Sequence, residues 1–362
     1  PTPLTATAAQ PTPPTGQPTP ATGQPAPATD PPDATEQPVS GSPSPGPLLP
    51  AGWRELAGVG DGPSAREDHT WTVTSDGEAA YLFGGRARND ASDELWRYEL
   101  ATDSWRLLEP TGGPPDARFG HVAAWVDGVG LVVWSGQAGP RFFADVWAYD
   151  PATDAWQELP SSGDAPAARY GSCGAIGPDG RLWISHGFTA DSGRFADTRA
   201  YDFAAGTWSD ESPSGPTPVE RCLHDCLWTP DGRLLIYAGQ TTGAPAIGDM
   251  WTYDPRSAAW IKADKPEPEP RQLYSLAVAD SAAFVFGGVS AGGEALDDLW
   301  QLDLRSLKWS PAPELLDGGR PSGRSGATLI ADPARDRLLL LGGKNGQAEL
   351  DDLWQLELAA PR

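Results

Sequence analysis

The sequence predicts an all-β fold of six repeats of about fifty residues, closed into a ring behind an N-terminal segment with no fold of its own. Three observations carry this. Apolar runs of five to seven residues, such as AAYLFGG, GLVVWSG and RLLIYAG, alternate with Gly, Pro and Asp turns, and no amphipathic helix competes with them. One set of motifs recurs six times in register. The segment around Trp53 carries the piece that the last repeat lacks.

Residues 1–50 contain sixteen Pro and nine Thr, with no aromatic residue, Cys, Lys or Arg, and a TGQP unit recurs at Thr15 and Thr22. Such a segment has nothing to bury and cannot offset its own ordering entropy. It is expected to be a disordered Pro/Thr-rich tether, partly polyproline and a candidate for O-glycosylation. Residues 51–362 are expected to form the folded domain, and all sixteen Trp lie between Trp53 and Trp354.

Within that domain a P-x-x-R element ends at Arg66, Arg118, Arg169, Arg221, Arg271 and Arg324. Roughly twenty residues on, an apolar run closes on small residues at Gly84-Gly85, Ser135-Gly136, Ala238-Gly239, Gly287-Gly288 and Gly342-Gly343, with His186-Gly187 in the third repeat. An acidic residue then stands two places before an aromatic, with Tyr or Leu two places further. Glu94-Leu-Trp96-Arg-Tyr98, Asp145-Val-Trp147-Ala-Tyr149, Asp249-Met-Trp251-Thr-Tyr253 and Asp298-Leu-Trp300-Gln-Leu302 show it. The third repeat keeps Asp197 and Tyr201 but has Arg199 in place of the Trp. A last Trp closes five repeats, at Trp105, Trp156, Trp208, Trp260 and Trp309. The sixth has none at its own end, and Trp53-Arg-Glu-Leu56 matches Trp156-Gln-Glu-Leu159. The N-terminal strand is therefore expected to complete the last repeat and leave no open sheet edge.

These motifs resemble those of the kelch-repeat family across about residues 52–357, with repeats similar to the central domain of galactose oxidase. The resemblance implies a six-bladed β-propeller with four-stranded blades, and the tether adds the expectation of a bacterial-type exported member. Antiparallel pairing puts the P-x-x-R loops and the loops after the paired small residues on one face. The other face carries short turns, four of them with Asp-Gly, at Asp76-Gly77, Asp127-Gly128, Asp179-Gly180 and Asp231-Gly232.

On the first face the loops of repeats 1–3 supply Arg86 and Arg88, then Arg141 and Phe142, then Arg194 and Phe195. Those of repeats 4–6 read QTTGAPAIGD, VSAGGEALDD and KNGQAELDD, without an aromatic residue. A ligand-binding half-face is predicted, built from these six residues with the motif arginines Arg118, Arg169 and Arg221. It suits a protein epitope or an acidic or sugar-like ligand. The competing reading pairs each Arg with a neighbouring Asp and lays each Phe over a blade edge. For motif arginines, present in every repeat, a framework bond to loop carbonyls or to Glu94, Asp145 or Asp249 is the stronger expectation.

The stretch RCLHDCLW, residues 221–228, holds two of the three Cys and one of the four His. His224 fills the repeat position of His69 and His121, where a structural hydrogen bond is expected. Strand alternation puts Cys222, His224 and Cys226 on one face and Asp225 on the other. Residues four apart on a strand are about 13 Å apart, too far for a bond between Cys222 and Cys226. Cys173 of the preceding blade faces them instead. Three outcomes stay open: a disulfide from Cys173 to Cys222 or Cys226, free thiols, or a zinc or copper site of Cys173, His186, Cys222 and His224. The spacing matches no metal motif.

The net charge of −23 excludes a nucleic-acid or anionic-membrane surface, and no apolar run approaches a membrane span. A chain that begins at Pro1 is expected to be a processed or trimmed product. With the tether, it points to an extracellular or cell-surface location. The expected function is a non-catalytic binding or scaffold module for a protein or glycan, with no cofactor. The alternative is a carbohydrate-active or metal-dependent, oxidase-like enzyme with a pocket around His186, Arg221 and His224. The galactose oxidase resemblance implies paired tyrosine ligands, and no second tyrosine is convincing here. The E-x-x-x-D-x-x-x-H iron run of plant specifier proteins is also missing. A third reading is a subunit of a larger surface assembly.

Overall fold

The computed structural model describes residues 49–57, 61–263, 268–312 and 319–359, so most of the tether, residues 1–48, lies outside the described residues. Six antiparallel blades follow one another. Blade 1 runs, from the centre outward, through Thr70–Val73, Ala79–Phe83, Leu95–Glu99 and Ser104–Leu108. Blade 2 is Val122–Val126, Gly130–Trp134, Val146–Asp150 and Ala155–Leu159, and blade 3 is Cys173–Ile176, Leu182–Ser185, Thr198–Asp202 and Thr207–Asp210. Blade 4 is Asp225–Trp228, Leu234–Gly239, Ile247–Asp254 and Ala259–Lys262, and blade 5 is Ser275–Ala279, Ala282–Phe286, Leu299–Asp303 and Lys308–Pro311. Blade 6 takes Thr328–Asp332, Arg337–Leu341 and Leu353–Ala359 from the C-terminal end and its outermost strand, Leu49–Leu56, from the N-terminal end. In that closing pair Trp53 stands opposite Leu356 and Leu56 opposite Leu353. The sequence expectation of a ring closed by the N-terminal strand is met.

The second strand of each blade is buried throughout because it feeds two interfaces at once. In blade 1, Ala80 and Leu82 pack toward blade 6 with Ile330, Leu339 and Leu341, while Tyr81 and Phe83 pack toward blade 2 with Leu131, Val133 and Trp156. Side chains on alternate faces of one strand thus fill alternate gaps. The closing Trp residues cap these gaps, with Tyr98 on Trp105 at 4.6 Å and Tyr201 on Trp208 at 5.1 Å. Such aromatic pairs add about 0.5–1.5 kcal/mol each beyond area burial.

At the centre the blades are joined by a belt that the sequence does not announce. The residue two places after each motif arginine is left-handed: Asp68, Gly120, Gly171, Leu223, Leu273 and Gly326, with φ between +53° and +64°. Each donates its N–H to the carbonyl of the equivalent residue in the preceding blade, and Asp68 closes the circle by donating to Gly326, at 2.8–3.1 Å throughout. Leu in this conformation costs roughly 1–2 kcal/mol, so Leu223 and Leu273 are held there by the belt itself.

Candidate functional site

The motif arginines are framework. Arg118, Arg169 and Arg221 are at most 1% exposed and pair with Asp145, Asp197 and Asp249. Nε donates to the carbonyl two residues back, and one terminal N–H donates to the carbonyl of the small residue, such as Ser135 or His186. The same carboxylates accept an indole N–H from Trp147 or Trp251, and Arg199 takes that role beside Asp197. One chemistry therefore explains both the P-x-x-R and the acidic-x-Trp motifs. With four of their five N–H donors committed to the framework and the side chains buried, Arg118, Arg169 and Arg221 are corrected from ligand contacts to blade ties. Phe195 is half-buried and stacks on Arg169, with the guanidinium 3.7 Å from the ring centre.

What remains on that face is an aromatic patch. Phe188 meets Phe142 and Tyr170 edge to face at 6.1 Å, Phe142 and Tyr170 are tilted together at 6.3 Å, and Phe119 meets Tyr170 edge to face at 6.1 Å. All but Phe119 are half-buried. Arg86 lies over Phe119 and Arg194 over Phe188. Neither arginine is free: Arg86 pairs with Glu67 and Asp68, and Arg194 bonds Gln240 at 2.6 Å. Arg141 is exposed and paired with Asp116. The pairing expected as the competing reading thus holds for Arg86 and Arg141. Arg88 is exposed and stands apart, in a shallow basin with Asn89, Lys344, Gln347 and Glu349. Tyr170 and Phe188 were not singled out from sequence, though an aromatic directly after the motif arginine occurs only in blades 2 and 3.

The cysteines resolve as a Cys173–Cys226 disulfide, with Cys222 free and buried. Alternation from Cys226 back to Cys222 fails because left-handed Leu223 breaks the strand between them. Cys222 instead faces Gln240, and burial pushes its thiol up. The bond sits in the core shared by blades 3 and 4, among Trp183, Ile236 and Trp260.

The metal set is not assembled. Cys173 is consumed by the disulfide, and no group of three or more His, Cys, Asp or Glu is placed to hold a metal among the described residues. His186 is fully buried and left-handed, bonded through Nδ1 to Ser185 and packed edge-on against His224 at 5.4 Å. Burial, with Arg221 nearby, lowers its pKa to about 3, so it is neutral. The expected pocket around His186, Arg221 and His224 does not form, since two of the three never reach a surface. The structural hydrogen bond expected of the repeat histidines holds for His121, whose Nε2 meets the Thr70 hydroxyl at 2.8 Å. His69 and His224 make none among the described residues, and His224 packs against the His186 ring.

The central channel holds a cavity of about 300 Å³ along the first half of the innermost strands. Asp68 of blade 1 and Asp225 of blade 4 line it from opposite sides of the six-membered ring. Burial, and then the neighbouring Glu67, raises Asp68 to about 7 against the pull of Arg86 and Lys344. Burial alone raises Asp225 to about 7. Alternation correctly turned Asp225 away from Cys226, and what it faces is this channel.

A closed ring of like blades with one loop-bearing face defines a display platform whose specificity resides in its loops. This chain belongs to the kelch-repeat family: the model of the KLHDC2/KLHL20/DRC7 Kelch-repeats domain matches residues 51–232 and 214–361. It is similar to Kelch domain-containing protein 2 of Bos taurus, 24% identical over 260 residues that cover 63% of this chain and 61% of that protein. It is also similar to Adagio-like protein 1 of Oryza sativa subsp. japonica, 27% identical over 223 residues, 56% of this chain and 35% of that protein. Kelch domain-containing protein 10 of Xenopus tropicalis is 26% identical over 230 residues, covering 60% and 55%. The chain thus spans between about a third and three fifths of the length of these relatives.

Proposed function

We propose that this chain is a non-catalytic binding module that takes a protein partner on its P-x-x-R face, with Phe142, Tyr170 and Phe188 as anchors. One observation carries the reading: three half-buried aromatic edges converge on one half of that face, while the loops of blades 4–6 supply none. Rigid aromatics ordered by their own packing lose little entropy on binding and are the residues that dominate interfaces. Arg86 and Arg194, already fixed by Asp68 and Gln240, stiffen the patch and present their remaining N–H donors at its rim.

The module is exported and held out by the Pro/Thr segment. A buried disulfide is characteristic of oxidising compartments, and the tether composition fits a stalk. No helix among the described residues is long and apolar enough to cross a membrane. The test is capture of surface or secreted partners by the native chain, by a Phe142→Ala/Tyr170→Ala/Phe188→Ala variant and by a Thr241→Ala/Thr242→Ala/Lys344→Ala variant. Loss confined to the first variant supports the reading, and equal retention by all three sinks it. A captured glycan, released by deglycosylation, would replace the protein partner with a sugar on the same rings.

A further inference from the structure

The central cavity is lined by two carboxylates, several hydroxyls and the neutral imidazoles of His69, His121 and His224, each with one acceptor nitrogen and one N–H. No lysine or arginine lines it. Ser172, Ser275 and Thr328 donate their hydroxyl protons to the carbonyls of His186, Ala327 and His69, which leaves lone pairs as their remaining capacity. The Tyr274 hydroxyl is saturated, donating to the Tyr237 carbonyl at 2.7 Å and accepting the Asp225 N–H at 2.9 Å. Asp68 has Arg86 as a partner. The Asp225 carboxylate has no hydrogen bond or ion pair among the described residues, although it stands where the other blades place Thr70, Val122, Cys173, Ser275 and Thr328. A carboxylate that loses most of its water without a partner is costly to bury unless something charged and donating joins it.

Leucine and valine side chains supply the apolar part of the wall. Half-exposed Leu223 and Leu273 stand on the belt, with Leu276, Leu329 and Val122 further along. No group of three or more His, Cys, Asp or Glu is placed to hold a metal among the described residues, so a hard cation lacks the carboxylates it would need here. A cation on a short hydrocarbon stem fits both features: the stem lies on leucine, and the head reaches Asp225. The belt end of the cavity adjoins the aromatic patch, since Tyr170 packs directly on Gly120, which lines both.

We propose that the channel is a receptor for a single alkylammonium group, bound by Asp225 and the surrounding hydroxyl oxygens. The group is the side chain of a lysine on a docked partner or a free primary amine. The lysine source rests on the binding-module reading; the free-amine source does not.

The experiment titrates the full chain at pH 8 with n-butylammonium, with the capped peptide acetyl-Gly-Lys-Gly-amide, and with n-butanol and pentanoate as neutral and anionic controls. Binding is followed by calorimetry and by protection against thermal unfolding. The expected result is saturable binding of at least one amine-bearing probe, weakened tenfold or more by Asp225→Asn and less by Asp68→Asn, with neither control binding. Free amine alone or peptide alone identifies the source, and both support the proposal. Asp225→Asn keeps the shape and removes a desolvated charge, so its folding is checked by an undiminished melting temperature at pH 8. Failure of both amine probes, or equal binding by Asp225→Asn, overturns it. Partner capture by the aromatic patch is read in a separate assay, so either idea can fail alone.

Discussion

Replacing both Cys173 and Cys226 by Ala should remove about 4 kcal/mol of stability. The bond links residues 53 apart. Closing a loop of that size takes about 14 cal/mol/K from the denatured chain, or about 4 kcal/mol at 25 °C. Alanine is the better probe than serine, because both sulfurs lie in the apolar core between blades 3 and 4 and a hydroxyl there would add an unpaired polar group. The assay is urea unfolding of native chain, native chain with reductant, and the double variant, all at pH 7. Native chain with reductant and the variant should coincide, both well below the oxidised chain. Intact mass supplies an independent check: alkylation after denaturation without reductant should label one thiol, Cys222, and three after reduction. Three labels without reduction, or a loss under 1 kcal/mol, would refute the idea that this bond staples two blades.

Arg169→Ala should cost about 3 kcal/mol, because it breaks a buried ion pair, leaving Asp197 with Arg199 alone and the His186 carbonyl with the Ser172 hydroxyl alone, and thermal unfolding checks it. Asp225→Asn should stabilise the chain at pH 8 and leave it unchanged at pH 4. A carboxyl raised from its ordinary 3.8 to about 7 makes the folded state bind more protons in that window, so native stability falls as pH rises from about 4 to 7, by at most about 4 kcal/mol. The buried neutral histidines slope the other way in both proteins and cancel in the difference; equal stability at pH 8 would contradict the assignment. Gly120→Ala should lower both stability and partner binding, since its Cβ would sit 2.5 Å from the Tyr170 ring at φ +60°. Retained binding would separate Tyr170 from the patch.

Much of the fold was legible because each motif residue serves one repeated contact. The motif arginine, its acidic partner and a third donor, an indole in five repeats and Arg199 in the third, form one hydrogen-bonded unit, and six copies in register leave little freedom for another topology. The paired small residues follow from geometry as well. The second Gly of each pair is left-handed, and a Cβ at Gly187 would lie 2.2 Å from the Ser172 hydroxyl. Trp53 could be assigned to the last blade for the same reason, since it fills the slot that Trp156 fills in blade 2.

The site was legible only in part. The aromatic patch lies on the half of the face that the sequence singled out, with Tyr170 and Phe188 added to Phe142, while Phe195 stacks on the framework Arg169 instead. Period-two alternation also misplaced Cys222, because the belt imposes a left-handed residue that no local propensity for Leu would suggest. The belt and the channel carboxylates arise from contacts between blades some fifty residues apart, which no single repeat displays.

The most direct test of the central claim is a photo-cross-linking amino acid placed at position 142, in the aromatic patch, and separately at position 242, in the blade 4 loop of the same face. With the captured partner bound, the account predicts covalent adducts from 142 and few from 242. Adducts from 242 with none from 142 would place the partner on the other half of the face and contradict it.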